Sequence, residues 1–278
     1  MTVHTALRQG ARILEDAGIA VPRLTAEVLL GHAMRVERVY FFAHPERELS
    51  DLERLHYGRY LHERLGGKPT QYITHRQEFY SRDFRVTADV LIPRPETEHV
   101  VEVALEVARG GAPAARRVLD VGTGSGALAV TLGLEMDVET WATEISPAAA
   151  RVAAENAARL GARVHFVVCD LMEAFAKGSM DLIVSNPPYV PLAQREGLQR
   201  EVRDFEPHLA LFAGDTGFEL YDRIVADARR VLQPGGWLVL ELGFTSLPHV
   251  QALLAGWDSL RVVPDLAGIP RVIAVRLP

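Results

Sequence analysis

The chain has 278 residues, 48% hydrophobic and 24% charged, which is ordinary for a folded protein of one or two domains. Its net charge of −6 argues against DNA or RNA as the main partner, because nucleic-acid binders usually carry a basic surplus. The one cysteine, Cys169, leaves no disulfide framework and no thiolate zinc site, and no apolar run is long enough to span a bilayer.

At the N-terminus, Met1-Thr2-Val3-His4 is not a basic start followed by an apolar core, so no secretory signal is expected and a cytoplasmic location follows. The ten histidines are scattered without metal-ligand spacing, so no metal is expected. Residues 1–67 read as helices only. Leu7, Ala11, Leu14 and Ala17 share one helical face, with Gly18 as the stop. Pro22 opens a second helix with Ala26, Leu29, Leu30 and Ala33 inward. Ser50-Asp51-Leu52-Glu53 is a capping box for a helix ending at Gly66-Gly67. A small helical bundle is expected, either as scaffold or as a docking surface for a macromolecular substrate.

Residues 68–93 read as a β-hairpin linker, with Glu78-Phe79-Tyr80 and Phe84-Arg85-Val86 separated by Ser81-Arg82-Asp83. Pro93 and Pro95 then force an extended loop, and Pro95 can open the helix carrying Val100, Val101, Ala104, Leu105 and Ala108. Residues 94–278 form the expected catalytic domain. From Arg116 onward strands and helices alternate. Strands are expected at 117–121, 138–142, 164–168, 180–185 and 237–241, and helices near 126–134, 147–160, 218–231 and 246–255. Continuous apolar strands with helical crossovers imply an α/β fold, Rossmann-like, with a mainly parallel sheet covered on both faces. Closing strands near 260–263 and 271–275 have too short a connection for a helical crossover, so the last strand should be antiparallel.

Two loops carry the chemistry. In Asp120-Val121-Gly122-Thr123-Gly124-Ser125-Gly126, the glycines let the backbone approach a ligand and turn tightly into a helix. Gly122, Gly124 and Ala127 also fit the dinucleotide pattern. Glu144, twenty residues past Gly124, can accept hydrogen bonds from both ribose hydroxyls, unless it is only a solvated strand-end acid. Asp170 can accept from an adenine amine with Leu171 against the ring, or can simply cap the next helical turn. These positions describe a nucleoside-bearing cofactor, NAD or S-adenosylmethionine.

The second loop, Ser185-Asn186-Pro187-Pro188-Tyr189, favours S-adenosylmethionine. It offers no obvious acid or base for hydride chemistry. It suits a planar NH2 group instead: the Asn186 oxygen and the Pro187 carbonyl each accept one N–H, Pro188 holds Pro187 extended, and Tyr189 packs against the flat group. Asn186, Pro187 and Tyr189 are the catalytic candidates, and with Pro188 they form the expected substrate site. Asn186 also borders the cofactor. An amide of protein glutamine, an adenine amino group in nucleic acid, and a non-catalytic nucleoside-binding role remain open on these residues alone. Cys169 reads as packing and His208 as a surface histidine. Arg94 reads as a partner of a ligand carboxylate or of Glu96 or Glu98.

The chain resembles the HemK family. The resemblance is carried by Gln71-Tyr72-Ile73, by Val90-Leu91-Ile92-Pro93-Arg94-Pro95-Glu96-Thr97-Glu98, by Val118 through Gly126, by Ile183 through Tyr189, by Glu206-Pro207, and by Asp265-Leu266-Ala267-Gly268 before Arg271. Members are S-adenosylmethionine-dependent methyltransferases that modify the glutamine side-chain nitrogen of the Gly-Gly-Gln motif in peptide chain release factors. The resemblance implies a class I methyltransferase domain of seven strands behind a helical bundle. It also implies S-adenosylmethionine as cofactor, S-adenosylhomocysteine as product, and release factors as partners in translation termination. Gly122, Thr123, Gly124, Ser125, Gly126, Glu144, Asp170, Leu171, Asn186, Arg94, Glu96 and Thr97 are the implied cofactor-binding residues. Glu144 stands where the family often has Asp.

Overall fold

The computed structural model describes residues 1–110 and 115–278. They fall into two compact units: Met1–Arg76 with Gln199–Phe205, and Gln77–Leu198 with Glu206–Pro278.

The first unit holds α1 (Val3–Asp16), α2 (Pro22–Met34), α3 (Val39–Ala43), α4 (Asp51–Leu65) and α5 (Thr70–Thr74). Leu7 and Leu14 of α1 and Ala26, Leu29, Leu30 and Ala33 of α2 are buried in one core with Tyr57 and Leu61 of α4. Ala17 lies exposed past the end of α1, because the chain turns at Gly18 (φ +71°) and the Ile19 N–H donates back to the Leu14 carbonyl. The capping box at α4 is formed in both directions: the Glu53 N–H donates to Ser50 Oγ (3.3 Å) and the Ser50 N–H to Glu53 Oε2 (2.8 Å). The helical unit continues past Gly67 through α5, whose Tyr72, Ile73 and Thr74 are buried, within the stretch read from the sequence as the start of the β-hairpin linker. It also contains a later helix, Arg200–Phe205, whose Glu201 carboxylate lies 2.5 Å from the Arg64 guanidinium.

In the second unit, β1 (Arg76–Phe79) and β2 (Arg82–Arg85) form the hairpin. Its turn is two residues, Tyr80 and Ser81, both at positive φ (50° and 58°), not the three residues expected. Left-handed backbone at both turn positions matches the twist of the strands. The Tyr80 N–H is anchored on Glu98 Oε1 at 2.8 Å. Next come α6 (Glu98–Gly110), β3 (Arg117–Val121), α7 (Ala127–Glu135), β4 (Glu139–Glu144), α8 (Pro147–Leu160), β5 (Val164–Val168) and β6 (Met180–Ser185). They are followed by β7 (Val190–Pro191), then, after α9 (Arg200–Phe205) of the first unit, by β8 (Phe212–Gly214), α10 (Glu219–Val231), β9 (Leu232–Glu241), α11 (Leu247–Leu253), β10 (Asp258–Pro264) and β11 (Pro270–Arg276).

The seven-stranded sheet has the order β10-β11-β9-β6-β3-β4-β5. Only β11 runs against its neighbours, pairing antiparallel with β9 and β10. Along β6, Leu182 and Val184 enter the core shared with α6 and α7, while Ile183 enters the core shared with α10 and α11. A strand covered on both faces is apolar on both, which is why Leu182–Val184 shows no alternation, while the one buried acid at its start, Asp181, is satisfied by the Arg116 and Arg117 N–H groups at 2.8 Å each. From β3 the chain winds outward through β4 and β5, then returns to the other side of β3 as β6. A crevice opens at the carboxyl ends of strands where the winding reverses, and both chemical loops leave the sheet there, after β3 and after β6. A short parallel pair, β7 with β8, follows the second loop and was not anticipated.

Candidate active site

The glycine loop is held by its own backbone. The Gly122 and Thr123 N–H groups both donate to the Thr143 carbonyl of β4, at 3.0 and 2.9 Å. Thr123 Oγ1 donates to Asp120 Oδ2 at 2.6 Å, and the Ala129 N–H of α7 donates to the same oxygen at 3.1 Å. Asp120 is fully buried, and burial pushes its carboxyl up to about 7, with the Glu144 charge adding to the effect. Asn156 of α8 pins the loop from outside: its Nδ2 donates to the carbonyls of Ser125 and Arg85 at 2.9 Å each. Gly122 (φ +73°) and Gly124 (φ +56°) adopt left-handed backbone, and a Cβ on either would meet nothing within 4 Å. Open room therefore lies directly over the backbone of this loop. Gly126 is different, since a Cβ there would press on Ala153 at 3.2 Å.

Glu144, nearly buried at the end of β4, bridges two backbone donors. Its Oε2 accepts from the Gly124 N–H and its Oε1 from the Ser146 N–H, both at 2.9 Å. Each carboxylate oxygen keeps a second lone pair, enough to accept a pair of adjacent hydroxyls. The open room over the glycines and this acceptor pair fit the ribose and amino-acid parts of S-adenosylmethionine. At the end of β5, Asp170 is paired with Arg223 at 2.6 Å, and Leu171 has φ +45°. Ile145, next to Glu144, is 49% exposed, an apolar surface at the same sheet edge that no sequence motif marks.

Across the crevice, Ser185 ends β6 with its Oγ on the Val121 carbonyl at 2.7 Å, tying the two loops together. Asn186 is half-buried, and its Nδ2 donates to Thr97 Oγ1 at 3.0 Å. Thr97 Oγ1 in turn donates to Glu241 Oε2 at 2.6 Å. Thr97 is 4% exposed and Glu241 1%. With its NH2 group engaged, Asn186 has Oδ1 left as the acceptor. Tyr189 packs on the backbone of Gly243, where a Cβ would come within 2.8 Å of its Cδ2. Burial, and secondarily the Glu241 charge, push the Tyr189 hydroxyl up to about 12, so the ring is neutral. Glu241 is itself pushed up to about 7 by burial. Its backbone carbonyl accepts from the Tyr221 hydroxyl at 2.9 Å, and that hydroxyl accepts from the Gly243 N–H at 3.1 Å.

Two family models match the chain, "PrmC N-terminal domain" over residues 5–74 and "Methyltransferase small domain" over residues 104–202. It is 46% identical to the release factor glutamine methyltransferase of Koribacter versatilis, over 100% of this chain and 99% of that protein. The proteins of the same name from Nitratidesulfovibrio vulgaris and Moorella thermoacetica are 42% and 41% identical, covering 99% and 98% of this chain and 95% and 97% of their own. The chain belongs to the release factor glutamine methyltransferase family. The HemK resemblance read from the motifs is thereby borne out, and the family is S-adenosylmethionine-dependent. Solved structures agree on the fold of the methyltransferase unit. A Pyrococcus furiosus methyltransferase matches with a TM-score of 0.52 at 19% identity, covering 71% of this chain and 90% of its own. The hMettl16 catalytic domain, in complex with a MAT2A 3'UTR hairpin, matches with 0.56 at 17%, covering 79% and 93%.

Within this family member the Pro93–Glu98 loop divides its residues. Arg94 pairs with Glu206 at 2.6 Å, neither of the two glutamates the sequence suggested, and the Glu206 side chain is 1% exposed. Glu96 is exposed, and Thr97 faces Asn186 and Glu241. Asp265 folds the tight turn before β11, accepting from the Ala267 and Ile269 N–H groups, and pairs with Arg271 at 2.9 Å. The acid that sequence reasoning missed is Glu241. Its position, last in a buried apolar strand, was the available signal. Among the described residues no helix is long and apolar enough to cross a membrane, and no three His, Cys, Asp or Glu residues gather as a metal site.

Proposed function

We propose that the protein transfers the methyl group of S-adenosylmethionine to the side-chain amide nitrogen of a glutamine in peptide chain release factors, the glutamine of the Gly-Gly-Gln motif, in the cytoplasm. The observation that carries the reading is the Asn186 amide, whose NH2 donates to Thr97 and so leaves Oδ1 as its acceptor, in the same short loop as Pro187 and Tyr189.

A primary amide nitrogen is a poor nucleophile because its lone pair is delocalised into the carbonyl. Bound S-adenosylmethionine supplies an electrophilic methyl group on a sulfonium centre. Asn186 Oδ1 and the Pro187 carbonyl accept the two N–H groups of the glutamine. Both dipoles point at a nitrogen on which positive charge develops, so they favour the transition state over the ground state. Fixing the acceptor nitrogen between these two carbonyls would remove an entropic barrier worth up to ~7–11 kcal/mol in favourable cases. Tyr189, neutral and packed on Gly243, holds the plane of the amide. No base is needed before attack, since the amide proton can leave once the bond has formed. Glu144 would hold the ribose hydroxyls, Asp170 and Leu171 the adenine, and the Gly122–Gly126 backbone with the Arg94–Thr97 loop the rest of the donor, a set that calls for no metal.

The helical unit is read as the docking surface for the release factor. The net charge of −6 supports a protein acceptor over a nucleic acid. Incubation with methyl-labelled S-adenosylmethionine and, separately, release factor, ribosomal protein and DNA tests the reading. Label is expected on the release-factor glutamine, located by peptide mass spectrometry. Label on nucleic acid, or on none of the three, refutes it.

A further inference from the structure

We infer that Thr97 and Glu241 are positioning residues that set which way round the Asn186 amide is presented to the acceptor. This rests on the proposed role of Asn186 Oδ1 as acceptor of an amide N–H. An asparagine side chain is nearly symmetric in shape, and rotation by half a turn exchanges its oxygen and nitrogen. Presented with NH2 outward, Asn186 would confront the N–H groups of the substrate with donors of its own. Something has to forbid that rotamer.

The chain of donors does so. A hydroxyl has one proton. Thr97 spends it on Glu241 Oε2 at 2.6 Å, so Thr97 Oγ1 can face Asn186 only as an acceptor. The group 3.0 Å away must then be the Asn186 NH2. With Thr97 4% and Glu241 1% exposed, water has little access to these two groups and cannot readily substitute for either partner. Three elements far apart in sequence supply the relay: the loop after Pro95, the end of β6 and the end of β9.

The direction of the relay depends on Glu241 carrying charge. Once protonated, Glu241 can donate to Thr97. The Thr97 proton is then free to seek Asn186 Oδ1, which favours the wrong rotamer. Around Glu241, Arg271 of β11 and Arg94 favour the charged form, while burial and Glu96 oppose it, and the Tyr189 and Tyr221 hydroxyls lie nearby. The balance pushes the carboxyl up to about 7, so the relay changes state close to neutral pH.

The test is single-turnover methyl transfer to unmethylated release factor across pH 5.5–8.5, with S-adenosylmethionine affinity measured separately. Thr97→Val keeps shape and removes the hydroxyl. At saturating S-adenosylmethionine it is expected to slow transfer about 10- to 100-fold at pH 8, the range for losing one charge-assisted hydrogen bond at a reacting group, with KM for the release factor unchanged. Thr97→Ser should restore most of that rate. Wild type should lose rate as pH falls through about 7, and Glu241→Gln, which cannot change charge, should lose this acid limb. Thr97→Val at the wild-type rate beside an inactive Asn186→Ala, or an acid limb retained in Glu241→Gln, would overturn the proposal. Asn186→Ala at the wild-type rate would instead overturn the reading of Asn186 itself. Should Thr97→Val not fold, the pH profile of the isosteric Glu241→Gln decides alone.

Discussion

Glu144→Gln separates two jobs that one carboxylate can do. In the structure Glu144 accepts from Gly124 and Ser146 through different oxygens, each at 2.9 Å. Glutamine has the same shape but one acceptor, so an NH2 group must face one of those two N–H groups. A nearly buried donor left unmatched costs about 1–3 kcal/mol, so the midpoint of urea unfolding should fall even with no cofactor present. The ribose hydroxyls bring a second effect that exists only in the complex. Losing the negative acceptor weakens charge-assisted bonds by roughly 1.4–2.8 kcal/mol, a 10- to 100-fold rise in Kd for S-adenosylmethionine by titration calorimetry. Stability and affinity should therefore fall together, and added cofactor should stabilise the variant less than the wild type. An unchanged Kd in a destabilised Glu144→Gln protein would refute the assignment, leaving Glu144 as a strut for Gly124 alone.

Asn186→Ala should abolish most methyl transfer while S-adenosylmethionine affinity, measured by calorimetry, largely survives. Gly243→Ala places a methyl group 2.8 Å from Tyr189 Cδ2 and from Ser246 Oγ. The displaced ring should lower the transfer rate on the order of 100-fold while far-UV circular dichroism stays unchanged. Asp120 titrates near 3.8 in the unfolded chain and about 7 in the folded one. Between those values the folded chain holds a proton that the unfolded chain has lost, so this contribution to stability is complete below about 4 and is lost as pH rises through about 7. The stability of Asp120→Asn relative to wild type should accordingly improve from pH 5 to pH 8 in urea titrations, and a pH-independent difference would sink the claim. Ser50→Ala removes the cap of α4 and should cost about 1 kcal/mol, read from the urea midpoint.

The parts of the fold that were readable were those dictated by local chemistry. Gly18, Pro22 and the Ser50–Glu53 box mark helix ends because caps act over three or four residues, and the structure places ends there. Leu182–Val184 was readable as part of a strand because burial on both faces favours an unbroken apolar run. The turn at Tyr80-Ser81 was not readable, since neither residue advertises left-handed backbone and the anchor, Glu98, comes from a different element. The same limit applies at the active site. Asn186 and Glu144 announce themselves through local motifs. The pairing of Thr97 with Glu241 spans 144 positions and follows only once β9 lies beside β6. Arg94 met Glu206 for the same reason, its nearer glutamates being placed elsewhere by the turn at Pro95.

The seven residues Gln199–Phe205 make the helical unit discontinuous in sequence. A cut after residue 76 would leave α9 in a fragment lacking Arg64, the partner of Glu201, and the Gly67 backbone, where an added Cβ would come within 3.1 Å of Arg200 Nε and 3.2 Å of Phe205. The unit is thus no detachable N-terminal module. Exchanging it between relatives would require transplanting two segments, and the second is spliced into the stretch of chain that runs on from Asn186–Tyr189. Chimeras built at a single junction should misfold or lose activity for reasons unrelated to which release factor they were meant to recruit.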